Sequence, residues 1–167
     1  GGEVHRRLVG AEQELREALS DWSEDDIDAF AQRLHPAYWL RTETAKQAEH
    51  ARLIRKAEAA GKSFAFAIRT DAFTAVTELT LLAPNVKGLL SLFAGACAAA
   101  GANIMGAHVT TTRDGLALDT FLLQREHGED DERRRAERIG QSIEKLITGK
   151  LKMEHLLRGR HQRPSSR

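Results

Sequence analysis

The hydrophobic periodicity of the chain changes near residue 63, and this change limits the folds that the chain can adopt. Before it, apolar side chains recur at helical spacing, whereas residues 64–69 alternate with a period of two, as a half-buried strand does. A second strand up to Ala83 is followed by a helical stripe, a strand, the Asp-Gly of a tight hairpin at 114–115, another strand and an acid-first helix. From the second strand onward, the predicted order is βαββα.

This order matches a ferredoxin-like split β-α-β unit that lacks its last strand. We therefore predict an α+β fold, in which an antiparallel sheet carries two helices on one face and follows an N-terminal helical segment. The missing strand would lie beside the second strand, and either 64–69 or 151–154 would take its place. We favour 64–69, because an uncovered strand edge promotes aggregation.

Charge divides the chain into three parts. Residues 63–125 carry only four basic and four acidic side chains, so the packed core is expected there. We predict a helical linker segment over 1–62 and a domain over 63–149, made of the strand hairpin and the βαββα unit. The basic segment 150–167 is predicted to be a flexible tail.

Composition and motif spacing exclude several classes of function. The net charge of +1, from 25 Lys and Arg against 24 Asp and Glu, gives no reason to expect nucleic acid as a partner. Residues 88–107 are uncharged but rich in Ala and Gly, and we expect no membrane span there. The single cysteine, Cys97, fits a reducing, cytoplasmic setting. Neither a nucleophile–base pair nor metal-ligand spacing is present, so we predict no catalytic centre and no metal.

One loop favours ligand binding on chemical grounds. Residues 84–88 leave the carboxyl end of a strand and enter a helix, whose first N–H groups and positive dipole end suit a carboxylate. Gly88 allows a ligand to approach the backbone, and Asn103 offers a donor and an acceptor before the next strand. The alternative is an ordinary loop, with Asn103 bonded to local backbone.

Three segments carry a resemblance to a known family: 76–90, 100–104 and 110–121. They are similar to an ACT domain, a small regulatory module that binds amino acids. The third segment, Thr-Thr-Thr-Arg-Asp-Gly-Leu-Ala-Leu-Asp-Thr-Phe, resembles the first of two carboxy-terminal ACT domains in the bifunctional PII uridylyltransferase/uridylyl-removing enzymes. Residues 38–42 and 50–54 resemble the segment that links the HD domain of that family to its ACT pair.

The resemblance implies a regulatory fragment of an enzyme, without a catalytic centre of its own. It implies glutamine as the effector and PII signal protein as a partner of the parent enzyme. It assigns Mg and UTP to that parent and no cofactor to this chain. ACT domains commonly pair side by side, so it further implies a homodimer or pairing with a second ACT domain, with ligand-binding residues Asn85, Gly88, Leu89 and Asn103.

Two other interpretations remain open. The family usually has Asp-x-Pro-Gly in the loop, but this chain has Asn85-Val86-Lys87-Gly88, which lacks the acid and adds a positive charge near a ligand's ammonium group. A structural, dimerising ACT unit without its own ligand is therefore the second interpretation. RNA binding is the third, because the RNA recognition motif shares the strand order. That module stacks bases on aromatic residues of its central strands, where this chain offers chiefly Phe121.

Overall fold

A computed structural model describes residues 1–162, and the chain divides into two compact units. The first unit consists of Gly1–Ala65, Leu82–Pro84 and Thr110–Leu118. Among the described residues, the second unit consists of Phe66–Leu81, Asn85–Val109 and 119–162. The N-terminal helical segment therefore shares one unit with strand ends that are distant in sequence.

Four helices form most of the first unit: α1 Gly2–Ala18, α2 Glu24–Ala31, α3 Pro36–Arg41 and α4 Thr44–Ala59. Ser23 caps α2, because its Oγ accepts a hydrogen bond from the backbone N–H of Asp26 at 3.1 Å. Pro36 lies in the first turn of α3, where no helical hydrogen bond requires its N–H. The core of the unit includes the buried side chains of Leu15, Leu19, Ile27, Phe30, Leu34, Tyr38, Leu53 and Ile54.

One four-stranded sheet has the order β1-β2-β4-β3. Its strands are β1 Ala65–Arg69, β2 Val76–Pro84, β3 Ile104–Thr111 and β4 Leu116–Gln124. β1 lies beside β2, at the edge that the last strand of a ferredoxin-like unit would occupy, and this confirms the preferred placement of 64–69. Residues 151–154 form no strand, because Met153 begins a helix.

Two helices, α5 Leu89–Ala100 and α6 Glu129–Ile147, pack on one face of the sheet in the second unit. The rings of Phe93 on α5 and Phe121 on β4 stack with their centroids 3.4 Å apart. Gly140 of α6 lies against Phe66 of β1, since a Cβ at position 140 would come within 2.7 Å of that ring. These contacts confirm the predicted α+β, ferredoxin-like arrangement.

The segment after α6 differs from the predicted flexible tail. Met153–Gln162 form a helix, α7, which packs against α5, with Met153 lying against Gly95. Met153, Leu156 and Leu157 are half-buried at the i, i+3 and i+4 positions, so a short apolar stripe stabilises the helix despite its basic neighbours. The remainder of the predicted tail, 163–167, lies outside the described residues.

The uncharged stretch 88–107 forms α5 and the first half of β3. Across residues 1–162, none of the helices combines the length and the apolar character that a membrane span requires.

Candidate ligand-binding site

The loop at residues 85–88 connects β2 to α5, as the sequence predicted. Gly88 is the N-cap of α5 and has a φ of +79°, a left-handed conformation that glycine adopts without a steric penalty. No side chain among the described residues caps this helix end. Asn85, Lys87 and Gly88 are exposed, so the first turn of α5 presents backbone N–H groups next to an accessible loop.

Leu89 presents only its backbone to the loop. Its side chain is buried in the core, and its N–H donates to the carbonyl oxygen of Val86 at 3.3 Å. Leu89 therefore anchors the loop to the domain, and a ligand would not contact its side chain.

Asn103 lies at the other end of α5. The helix has 12 residues, and at about 1.5 Å per residue its ends are roughly 18 Å apart. Asn103 is exposed, its Nδ2 donates to Oε1 of Gln124 at 3.3 Å, and its carbonyl oxygen accepts from the N–H of Gln124 at 2.8 Å. A single chain thus brings Asn85, Gly88 and Leu89 together but leaves Asn103 at the opposite end of the domain.

β3 forms an exposed edge of the sheet. Ile104, Met105 and Val109 have 41%, 62% and 52% of their surface exposed, and the strand contains no Asp, Glu, Lys or Arg. Natural proteins usually protect such an edge with charges, bulges or a covering segment. The other edge strand, β1, is shorter, with five residues, and carries Arg69. β3 is therefore the better candidate for pairing with another strand.

The third segment of the family resemblance, 110–121, contains the tight turn between β3 and β4. The hydroxyl of Thr112 donates to Oδ1 of Asp114 at 2.6 Å and accepts from the N–H of Leu116 at 2.9 Å. The hydrogen bond from Thr112, together with the charge of Arg33, lowers the pKa of Asp114. Gly115 completes the turn with a φ of +85°. This motif therefore has a structural role in the turn.

Sequence reasoning missed Arg33, which holds the turn within the first unit. Its guanidinium pairs with Oδ2 of Asp114 at 2.9 Å and with Oε2 of Glu58 at 3.0 Å. Its carbonyl oxygen accepts from the N–H of Arg113 at 2.7 Å. A single arginine in a helical segment has no periodic or motif signal, so only the structure reveals this role.

Two buried polar clusters were also missed. In the first unit, the hydroxyl of Tyr38 lies 2.6 Å from Nδ1 of His50, and burial, with the charge of Lys46, lowers the pKa of His50 to about 4. In the second unit, Glu132 accepts hydrogen bonds from Thr77 and from backbone N–H groups, and its carboxylate pairs with Arg135 at 3.2 Å. Burial raises the pKa of Glu132, but these partners outweigh it and the net shift is downward.

Cys97 is buried on α5, consistent with the core role expected from its place in the apolar stripe. Burial raises the pKa of its thiol to about 12, so the thiolate that nucleophilic catalysis requires is disfavoured at neutral pH.

Comparison with known proteins identifies the relatives of the chain. No protein-family model matches it. The chain is 45% identical over 163 residues to the bifunctional uridylyltransferase/uridylyl-removing enzyme of Bradyrhizobium diazoefficiens, a match that covers 97% of the chain and 18% of the relative. Enzymes with the same name from Rhodopseudomonas palustris and Nitrobacter winogradskyi are 47% and 43% identical, over 90% and 95% of the chain.

The chain spans less than a fifth of the length of these relatives, at 17–18% of each. Within that span the similarity is nearly continuous, and it includes both the helical segment and the sheet with its exposed edge. The chain is therefore a homologue of a small part of the bifunctional uridylyltransferase/uridylyl-removing enzymes.

Proposed function

We propose that this chain is a regulatory ACT module that senses glutamine and thereby controls the uridylylation and deuridylylation of PII signal protein by its parent enzyme. The observation that carries the proposal is the exposed, uncapped N-terminus of α5 behind Gly88, in a chain that is 43–47% identical to uridylyltransferase/uridylyl-removing enzymes. Such a helix end suits the α-carboxylate of an amino acid.

The proposed site is completed by a second ACT domain, in a homodimer or in a pair with a different ACT domain. Gln124 and Arg125, at the end of β4, donate backbone hydrogen bonds to the carbonyl oxygens of Asn103 and Ala75, which directly precede β3 and β2. Both strands therefore begin at that end of the domain, and β3 finishes at the end where β2 leads into the loop. Antiparallel pairing of two β3 edges would therefore bring Asn103 of one copy to the loop of the other. An asparagine amide can donate to and accept from the side-chain amide of glutamine.

The parent enzyme supplies the chemistry in this proposal, and the chain supplies the control. Mg and UTP belong to the transferase part of the longer enzyme, and this chain needs no cofactor for glutamine sensing. A cytoplasmic location is part of the proposal, supported by the single, buried and unpaired cysteine.

A structural pairing unit without its own ligand is the second candidate. It is favoured by the exposed Lys87 and by Asn85, which gives the loop a net positive charge where a ligand brings its ammonium group. Both side chains are exposed, so solvent screening keeps this repulsion small, and we rank glutamine sensing first.

Calorimetric titration with glutamine tests the proposal. We expect saturable binding to the unchanged chain and at least tenfold weaker binding to Gly88→Val, whose side chain obstructs the approach to the helix end. Gly61→Val is the matched control, because Gly61 also has a positive φ and open space around it but follows α4. It should bind as the unchanged chain does. A flat titration of the unchanged chain at millimolar glutamine would exclude a site formed by copies of this chain and would favour the structural pairing unit.

A further inference from the structure

The guanidinium of Arg33 joins two distant parts of the first unit. One Nη binds Glu58 near the end of α4 at 3.0 Å, and the other binds Asp114 in the β3–β4 turn at 2.9 Å. The side chain of Arg33 is 20% exposed, whereas those of Glu58 and Asp114 are 64% and 52% exposed, so the guanidinium is half-buried and both carboxylates face solvent. We call these three side chains the Arg33 fork.

The main chain reinforces the fork. The N–H of Arg113 donates to the carbonyl oxygen of Arg33 at 2.7 Å, and Nε of Arg113 lies 3.4 Å from the carbonyl oxygen of Leu34. Residues 33 and 34 therefore hold the turn through both backbone and side chains. Because charge-assisted hydrogen bonds of a planar guanidinium are directional, a shift of the turn would change the geometry at Glu58 as well.

The ligand loop begins where the first unit ends. Leu82–Pro84, the last residues of β2, belong to the same unit as the turn and the helices, and Asn85 follows directly. β2 also lies beside β4, which begins just after the turn. A displacement of the loop thus has a continuous path, through the end of β2 and the start of β4, to Asp114.

We propose that the Arg33 fork couples occupancy of the loop at 85–88 to the helical segment, with Arg33 as a positioning residue that does not contact the ligand. The proposal rests on the proposed function, since it requires glutamine to bind at that loop. In this proposal, ligand binding displaces the loop, and the displacement moves the β3–β4 turn. The turn then changes the position of Arg33, which in turn moves α4 through Glu58.

The two tryptophans of the chain provide the readout. Trp22 and Trp39 both belong to the first unit, whereas the loop belongs to the second. The guanidinium of Arg55, one turn before Glu58 on α4, lies over the ring of Trp22 at 3.5 Å from its centroid. A movement of α4 would therefore change the tryptophan fluorescence.

Glutamine titrations followed in parallel by calorimetry and by tryptophan fluorescence test the coupling. In the unchanged chain we expect a fluorescence change with the same midpoint as the heat of binding. In Arg33→Met we expect an affinity within about twofold of the unchanged chain and a fluorescence change at least fivefold smaller. Glu58→Gln, which keeps the shape of the side chain and removes its charge, should also reduce the fluorescence change.

Arg52→Met is the matched control. Arg52 also forms an ion pair in the first unit, with Asp21 at 3.0 Å, but does not contact the turn, so this variant should keep both signals. Circular dichroism confirms that each variant is folded. Full fluorescence response in folded Arg33→Met and Glu58→Gln would overturn the coupling while leaving the proposed function intact. Absence of any heat with the unchanged chain would remove both proposals.

Discussion

Replacing Glu132 by alanine is expected to lower the free energy of unfolding by about 2–4 kcal/mol, because it removes one of the two carboxylates that pair with the buried Arg135. Glu126, which lies 2.9 Å from the guanidinium and is 34% exposed, remains as the other partner. Glu132 is 1% and Arg135 4% exposed. The change also removes the acceptor of Thr77, at 2.7 Å, and of the backbone N–H groups of Glu126 and His127, at 2.9 Å each. Urea denaturation of the variant and the unchanged chain measures the difference.

The same helix offers a matched control. Asp131 also pairs with an arginine three residues later, Arg134, but both side chains are 64% exposed. Asp131→Ala should therefore cost less than about 1 kcal/mol. Equal losses in the two variants would show that the buried network of Glu132 does not contribute more than an ordinary surface ion pair.

The second large effect is a loss of stability at acidic pH, which arises from His50. Its pKa is lowered from 6.5 to about 4 in the folded chain, so folding favours the neutral imidazole. The corresponding stability is fully present above pH 6.5 and decreases as the pH falls toward 4. Linkage gives a loss of roughly 2 kcal/mol between pH 7 and pH 5 from this one group.

Urea unfolding monitored by tryptophan fluorescence at these two pH values measures the effect. His50→Phe keeps an aromatic ring beside Tyr38 and removes the titrating group. We expect it to lose most of the pH dependence, whatever its stability at pH 7. If the variant keeps the full pH dependence of the unchanged chain, another group is responsible and the assignment to His50 is wrong.

Local patterns predicted the parts of the fold that depend on local chemistry. The alternation of Phe64, Phe66 and Ile68 predicted β1, and the stripe on α5 predicted its buried face. The cap at Ser23 and the turn at Gly115 followed from the known preferences of these residue types. The placement of β1 beside β2 was predicted because an uncovered strand edge promotes aggregation.

Contacts between residues that are distant in the sequence could not be predicted from local patterns. In the sequence, Glu132 is one of four acidic residues in the first turn of α6. No pattern of apolar residues distinguishes this buried acid from its three exposed neighbours. Arg33 acquires its role only when the chain folds back by 81 residues to bring Asp114 to it. α7 was missed because its short apolar stripe is surrounded by basic residues.

The candidate site shows the same division. Its loop was predicted from the strand-to-helix transition and from Gly88, and the structure places both as expected. The separation of Asn103 from Gly88 follows from the length of α5 and the directions of the strands. Because of this separation, the four predicted residues can form one site only if two copies of the chain, or two domains, come together.

Subunit complementation tests this claim most directly. Gly88→Val and Asn103→Ala chains are each expected to bind glutamine poorly, because every site in either homodimer contains one altered residue. If the two are unfolded and refolded together, mixed dimers contain one site with Gly88 from one copy and Asn103 from the other. Random pairing then restores full-affinity binding at about one quarter of all sites. Recovery of this binding in calorimetry is the predicted result, and a mixture that binds no better than its separate components would contradict a site shared between two copies of this chain.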